Sequence, residues 1–175
     1  LDAPPIALKA NAGQFFQLLC VSADDHELAT RRPMSIYEVD VAARQIKFLY
    51  KCVGRGTQSM ALLKNDDSVN IAGPFGVGFS LETEWKNVAV LGRGVGLATL
   101  APISQLAAEK GVKVTAFISA RSPDFLMSQE LFEKIGANII TVTDADGTSS
   151  VENLEKLLEK LVEVKGIDAF FTCGS

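Results

Sequence analysis

Three short stretches of this 175-residue chain combine glycines, hydroxyls and arginines at spacings that suit the binding of an anion. In Leu91-Gly92-Arg93-Gly94-Val95-Gly96 the glycines follow an apolar run and open a helix-forming one. Backbone N–H groups there could approach a pyrophosphate at a helix N-terminus. The spacing is G-x-G-x-G rather than G-x-G-x-x-G, and no lysine follows as it would in a P-loop. The same glycines would also serve a close-packed strand–helix turn. In Val53-Gly54-Arg55-Gly56-Thr57 a second glycine turn opens a short helix, with Thr57 as its expected N-cap. An ordinary capped turn would read the same way. In Arg31-Arg32-Pro33-Met34-Ser35-Ile36 the proline fixes an extended segment. From it Arg32 could meet a phosphate and Ser35 a planar heterocycle, although Arg-Pro entering a strand is common. Arg121 stands where a Rossmann fold carries an acidic ribose ligand. A guanidinium there can stack on adenine, contact a phosphate, or simply be solvated.

Composition narrows the partners. Seventeen basic residues face 21 acidic ones, a formal charge of −4, and no basic stripe stands out, so nucleic acid is not expected. The apolar runs are too short for a bilayer, and no signal-peptide pattern opens the chain. Cys20, Cys52 and Cys173 are widely spaced and odd in number, which fits a reducing cytoplasm better than a disulfide framework. With one histidine and no clustered cysteines, no metal site is expected. That histidine, His26, lies in a polar run and reads as a solvated loop residue, so a Ser–His–Asp hydrolase has no support.

The elements that must hold these motifs fall into two regimes. Residues 14–72 show short β-rich runs, Gln14–Val21, Ser35–Val39, Ile46–Val53 and Ser68–Ala72, with turn-like stretches at Ser22–Thr30 and Asp40–Gln45. They predict a small antiparallel β-barrel or sandwich, interrupted by a helix over Thr57–Lys64 that packs through Met60, Leu62 and Leu63. From Asn87 the rhythm is strand, helix, strand, helix. Strands are expected at Val88–Leu91, Val112–Ser119, Asn138–Val142 and Ile167–Thr172. Helices are expected at Val95–Lys110, kinked at Pro102, at Ser128–Ile135 and at Val151–Val164. That pattern predicts a parallel sheet with helices on both faces. The domains are therefore expected as residues 1–84 and 85–175, and both chain ends read as cut from a longer protein.

Taken in order, Arg32-Pro33-x-Ser35-Ile36, Gly54-x-Gly56-Thr57, Gly73-Pro74-Phe75-Gly76-x-Gly78-Phe79, Gly92-x-Gly94-x-Gly96 and Cys173-Gly174 resemble the ferredoxin–NADP reductase superfamily. Within it the likeness is greatest to the electron-transfer subunits of bacterial dihydroorotate dehydrogenase, and Ala12-Gly13-Gln14-Phe15 resembles their Pro-Gly-Gln-Phe. The resemblance implies a flavin-binding barrel, its first strand missing, followed by a nicotinamide domain. It puts Arg32 on the FAD pyrophosphate and Ser35 at the isoalloxazine edge. Pro33, Met34 and Ile36 would line that strand, and Gly54, Gly56 and Thr57 would bind phosphate. Gly92, Gly94 and Gly96 would cradle NAD(P), with Arg121 at its adenosine end. Cys173 and Gly174 would sit beside the nicotinamide, so Ser35 and Cys173 are the residues nearest the chemistry. The implied activity is that of an FAD- and NAD(P)-dependent oxidoreductase passing electrons between NAD(P)H and a redox partner or catalytic subunit. A [2Fe–2S] centre would need residues beyond this chain. Alternatives are a stand-alone flavin or ferredoxin:NAD(P) reductase, or a nucleotide-binding regulatory subunit without turnover.

Overall fold

The structure, a computed structural model, describes residues 1–22 and 25–174; the side chains of 21, 22, 25–29 and 165 lie outside that description. It divides into two compact units, Leu1–Phe79 and Ser80–Ser175.

The first unit is built on β1 (Phe15–Ser22), whose Phe16, Leu18 and Cys20 are each 1% exposed while Phe15, Gln17 and Leu19 are half-buried. That alternation puts one face of the strand in a core. β2 (Asp25–Asp40), β3 (Gln45–Phe48) and β4 (Ile71–Phe75) join it in the order β3-β2-β1-β4, every neighbouring pair antiparallel. Met34, Ile36 and Ile46 complete the core, and α1 (Arg55–Ala61) contributes Met60. The antiparallel architecture is the one expected, but several boundaries differ. The polar stretch before Thr30 is not a turn: Thr30 pairs with Cys20 and Asp25 with Ser22, so most of it extends β2. Cross-strand pairing with an apolar β1 overrides the local polarity. The backbone of His26 therefore lies in a strand, and its side chain falls outside the described residues. α1 is shorter than expected, and Leu62 after it is 78% exposed, leaving Met60 to do the packing.

Two features of this unit bear on binding. β3 pairs only with residues 36–40 of β2. The edge of Arg31–Ser35 that faces away from β1 thus has no strand beside it among the described residues. The Ala12–Phe15 and Gly73–Phe79 motifs hold one another. Phe79 N–H donates to the Ala12 carbonyl at 2.7 Å, Gln14 Nε2 donates to the Gly76 carbonyl at 2.9 Å, and the Phe15 and Phe75 rings lie 5.9 Å apart.

The second unit is a parallel sheet of β5 (Asn87–Arg93), β6 (Lys113–Ala120), β7 (Asn138–Thr143) and β8 (Ala169–Cys173), in the order β7-β6-β5-β8. Both faces are apolar because both are covered. Val88, Val90, Ala116 and Ile118 pack beneath α2 (Leu97–Glu109) and α3 (Gln129–Lys134). Ala89, Leu91 and Phe117 pack beneath α4 (Val151–Lys165), through Leu154, Leu157, Leu158 and Leu161. Ser150 caps α4 by accepting from Asn153 N–H at 3.3 Å. α2 runs unbroken through the buried Pro102. No helix of the described residues is long and apolar enough to cross a membrane.

Candidate functional site

In a parallel sheet every strand ends on the same edge. The chain leaves β5 for β6 on one side and returns as β8 on the other, so the connections part at the end of β5 and leave a crevice there. The glycine motif sits at that point. Gly92 and Arg93 are the last residues of β5, Gly94–Gly96 form a 3-10 turn, and α2 starts at Leu97. The motif thus begins inside the strand, two residues beyond the expected boundary.

Its glycines have different jobs. A Cβ on Gly96 would lie 2.3 Å from the Cys173 carbonyl oxygen, so only glycine lets the turn close on β8. A Cβ on Gly92 would meet Leu97 Cδ2 at 2.4 Å, and one on Gly174 would meet the Arg93 carbonyl oxygen at 2.8 Å. These three let main chain pack against its neighbours. Gly94 alone has open space at its Cβ position; it is held at φ +53°, a backbone conformation that disfavours a side chain. The face left for a ligand is therefore the one over Gly94. Gly92 pairs in register with Cys173, and the half-buried Cys173 packs against the core beneath α2. Motifs nearly eighty residues apart in sequence are brought into contact.

Arg93, Ser119, Asp144 and Ser149 were not singled out from sequence. Arg93 donates from Nη1 to Asp144 Oδ1 at 3.0 Å and to Ser119 Oγ at 3.0 Å, and from Nη2 to Asp144 Oδ2 at 2.5 Å. Ser149 Oγ donates to the same carboxylate. These bonds hold the Asp144 carboxyl below the usual carboxylate range, the Arg93 bond first, with the charges of Arg93 and Arg121 adding to it. Arg121 is exposed just past the end of β6, and its carbonyl accepts from Ala145 N–H at 2.9 Å. An arginine inside a glycine turn and an Asp-x-Asp-Gly after a strand were the signals available.

In the first unit, alternation along β2 puts Arg32 with Met34 and Ile36 on the core face, and Ser35 with Arg31 and Pro33 on the other. A small ligand could not touch both; an extended one lying along Arg31–Ser35 could. Arg32 is exposed at the end of its row, and its Nε lies 3.7 Å from where a Gly56 Cβ would be. The same position is 3.1 Å from Cys20 Cβ, so Gly56 admits the guanidinium beside the first turn of α1. Burial pushes the Cys20 thiol up, opposed by the charge of Arg32. Thr57 is not the N-cap. Gly54 is, and Thr57 Oγ1 reaches back to accept from Gly54 N–H at 3.2 Å and Val53 N–H at 3.1 Å. The first N–H groups of α1 have no acceptor within the helix, and the Arg32 guanidinium stands beside them, a donor set that fits a phosphate.

A cleft of about 590 Å³ opens at the opposite edge of the parallel sheet, among Asn87, Lys113, Thr115, Gly136 and Asn138. No motif residue lines it. α2 and α3 end there and present carbonyls, which disfavour an anion.

An antiparallel sheet followed by an open parallel one, with a glycine turn at the switch point of the second, is the fold of the ferredoxin–NADP reductase superfamily. The chain has a TM-score of 0.80 over 98% of its length with an NADH-dependent reduced ferredoxin-NADP oxidoreductase, at 26% identity and covering 60% of that chain. It shares the fold of Plasmodium falciparum ferredoxin-NADP+ reductase, TM-score 0.68, at 15% identity over 95% of this chain and 74% of that one. No protein-family model matches it. Among curated proteins it is similar to the electron transfer subunit of dihydroorotate dehydrogenase B (NAD(+)) of Desulforamulus reducens, 31% identical over 99% of the chain. It is similar to that of Enterococcus faecalis, 31% identical over 93%, and to a Thermotoga maritima homolog, 28% over 99%. The chain has the fold of this superfamily and is similar in sequence to these subunits, and it spans 65%, 62% and 60% of the length of those three relatives.

Proposed function

We propose that this chain is the flavin- and pyridine-nucleotide-binding part of a cytoplasmic oxidoreductase that passes electrons between NAD(P)H and a partner through FAD. The observation that carries the reading is the closure of the Gly94–Gly96 turn on Cys173 at the switch point, with only the Gly94 face left open. In the first unit Arg32, Gly54, Gly56 and Thr57 would hold the FAD phosphates. Pro33, Met34, Ser35 and Ile36 would line the isoalloxazine. In the second, Gly94 would face the dinucleotide, Gly92, Gly96 and Gly174 would shape the turn, and Arg121 would lie at the adenosine end. When bound, the nicotinamide supplies a hydride and the flavin accepts it, releasing electrons singly or in pairs. The chain's own contribution is placement: Cys173 and Ser35 orient the rings, and no acid or base is required.

The names of the curated relatives favour NADH as the nucleotide and a catalytic subunit as the partner. An iron–sulfur centre in the relay would draw its ligands from outside these residues. The full-length protein is expected to purify yellow and to release FAD on heating; FMN, or no flavin, would overturn the assignment. Anaerobic NADH should bleach it, and Cys173→Ala should slow bleaching while both cofactors stay bound. Wild-type rates in that variant would return Cys173 to a purely packing role.

A further inference from the structure

The ends of all four strands of the second unit are joined crosswise by one chain of contacts. It starts after β7 at Asp144, which Ser149 orients, and crosses the end of β6 through Ser119 Oγ, 3.0 Å from Arg93 Nη1. It reaches the end of β5 at Arg93, which grips Asp144 with both terminal nitrogens. It finishes past β8, where Gly174 packs so closely on the Arg93 main chain that a Cβ would sit 2.8–2.9 Å from Arg93 N, Cβ and O. Arg93 therefore has its side chain fixed at one flank of the crevice and its backbone clasped at the other. It is also the residue just before the Gly94 face.

We infer that Arg93 and Asp144 form a strap that positions the nicotinamide end of the crevice, Arg93 serving as a positioning residue and not as a phosphate ligand. The inference rests on the nucleotide-binding reading above. The geometry separates the two roles for Arg93. Both terminal nitrogens of its guanidinium are already committed to neighbours across β6 and β7, so its charge is neutralised within the protein. Its backbone meanwhile sets where Gly174, and with it Cys173, stands relative to the Gly94 turn. Breaking the strap should loosen the Gly94–Gly96 and Gly174 segments together. It should also release a guanidinium beside an anion cradle, so nucleotide binding should hold or tighten while placement of the ring suffers.

The test uses the full-length protein and the variants Asp144→Asn and Arg93→Ala. Glu152→Gln, which removes the exposed Lys156–Glu152 pair on α4, serves as control. Without nucleotide, amide hydrogen exchange at Gly94, Gly96 and Gly174 should quicken about three- to tenfold in both strap variants and not in the control. With nucleotide, the NAD+ dissociation constant should stay within about twofold in Asp144→Asn, while flavin reduction at saturating NADH falls about three- to tenfold. Arg93→Lys should recover part of the rate, since an ammonium can pair with Asp144 but cannot also reach Ser119 in the same geometry. The double variant should be no worse than either single one. Unchanged exchange in both variants would overturn the strap. So would a large loss of NAD+ affinity in Arg93→Ala at an unchanged saturated rate, which would make Arg93 a phosphate ligand. A wild-type protein that neither binds NAD+ nor reduces its flavin would sink the oxidoreductase reading; the exchange arm would still decide the strap.

Discussion

The two anion sites proposed above would be built on opposite plans. In the first unit the first turn of α1 is open at Gly54, and a charged side chain, Arg32, projects beside Gly56 from a neighbouring strand. In the second unit the walls are main chain pressed on main chain, and the one arginine in the turn is neutralised by Asp144. On the reading proposed above, the first would work by charge and the second by shape. Substitutions should therefore fail differently in the two places.

The largest effect is expected where shape rules. Gly96→Ala forces a methyl into the Cys173 carbonyl, and no flexible side chain is there to yield. The cost should be about 3 kcal/mol or more, read as a fall in the unfolding midpoint of the second unit together with loss of NAD+ binding. An alanine variant with wild-type stability would break the contrast at once. Next comes Arg32→Ala, which should leave unfolding unchanged but weaken flavin retention by roughly ten- to a hundredfold, the loss of one charge-assisted contact of about 1.5–3 kcal/mol. Full flavin occupancy after dialysis would make Arg32 a surface residue and leave the first cradle without its charge. Gly94→Ala should be milder still. Its Cβ meets open space, so only the positive φ is strained, costing about 1 kcal/mol in thermal unfolding. Gly94→Val, by contrast, should raise the NADH dissociation constant without touching flavin.

The smallest effect concerns acid. The folded-state pKa of Asp144 lies below its unfolded value near 4, so the strap's contribution is complete above that value and is lost as pH falls through the folded one. The difference in unfolding free energy between wild type and Asp144→Asn should be flat around neutrality and shrink only below about pH 4. A difference that grew in acid would mean the carboxylate is not held by Arg93.

Much of this was legible in the sequence because it is local. Gly92-x-Gly94-x-Gly96 after an apolar run marks a strand–helix turn, and the leucines of α4 mark its buried face. What was not legible depends on strand order. Arg93 and Asp144 are 51 residues apart and meet only because β6 lies between β5 and β7. Likewise, residues 25–29 carry no β alternation of their own, yet Asp25 pairs with Ser22 and Thr30 with Cys20, so the stretch joins β2. Thr57 was misplaced as a cap because a glycine can hold that position when a hydroxyl three residues on reaches back to it.

The parallel sheet also dictates a timetable. β5, its central strand, is made first, yet its partner from Ala169 onward lies 81 residues later than Val88. At about 5–20 residues per second, roughly 4–16 s of synthesis pass before that flank is covered, with Val88–Leu91 offering an apolar, unpaired border to any neighbouring nascent chain. The start of β5 is fastened by the same late segment: the Asp168 carboxylate accepts from Lys86 N–H at 2.7 Å and Asn87 N–H at 2.8 Å. Because the seat of Gly96 is the Cys173 carbonyl, the crevice cannot take shape on the ribosome until β8 is made. A polypeptide interrupted before residue 167 would carry every glycine of the turn and still have nothing for it to close upon.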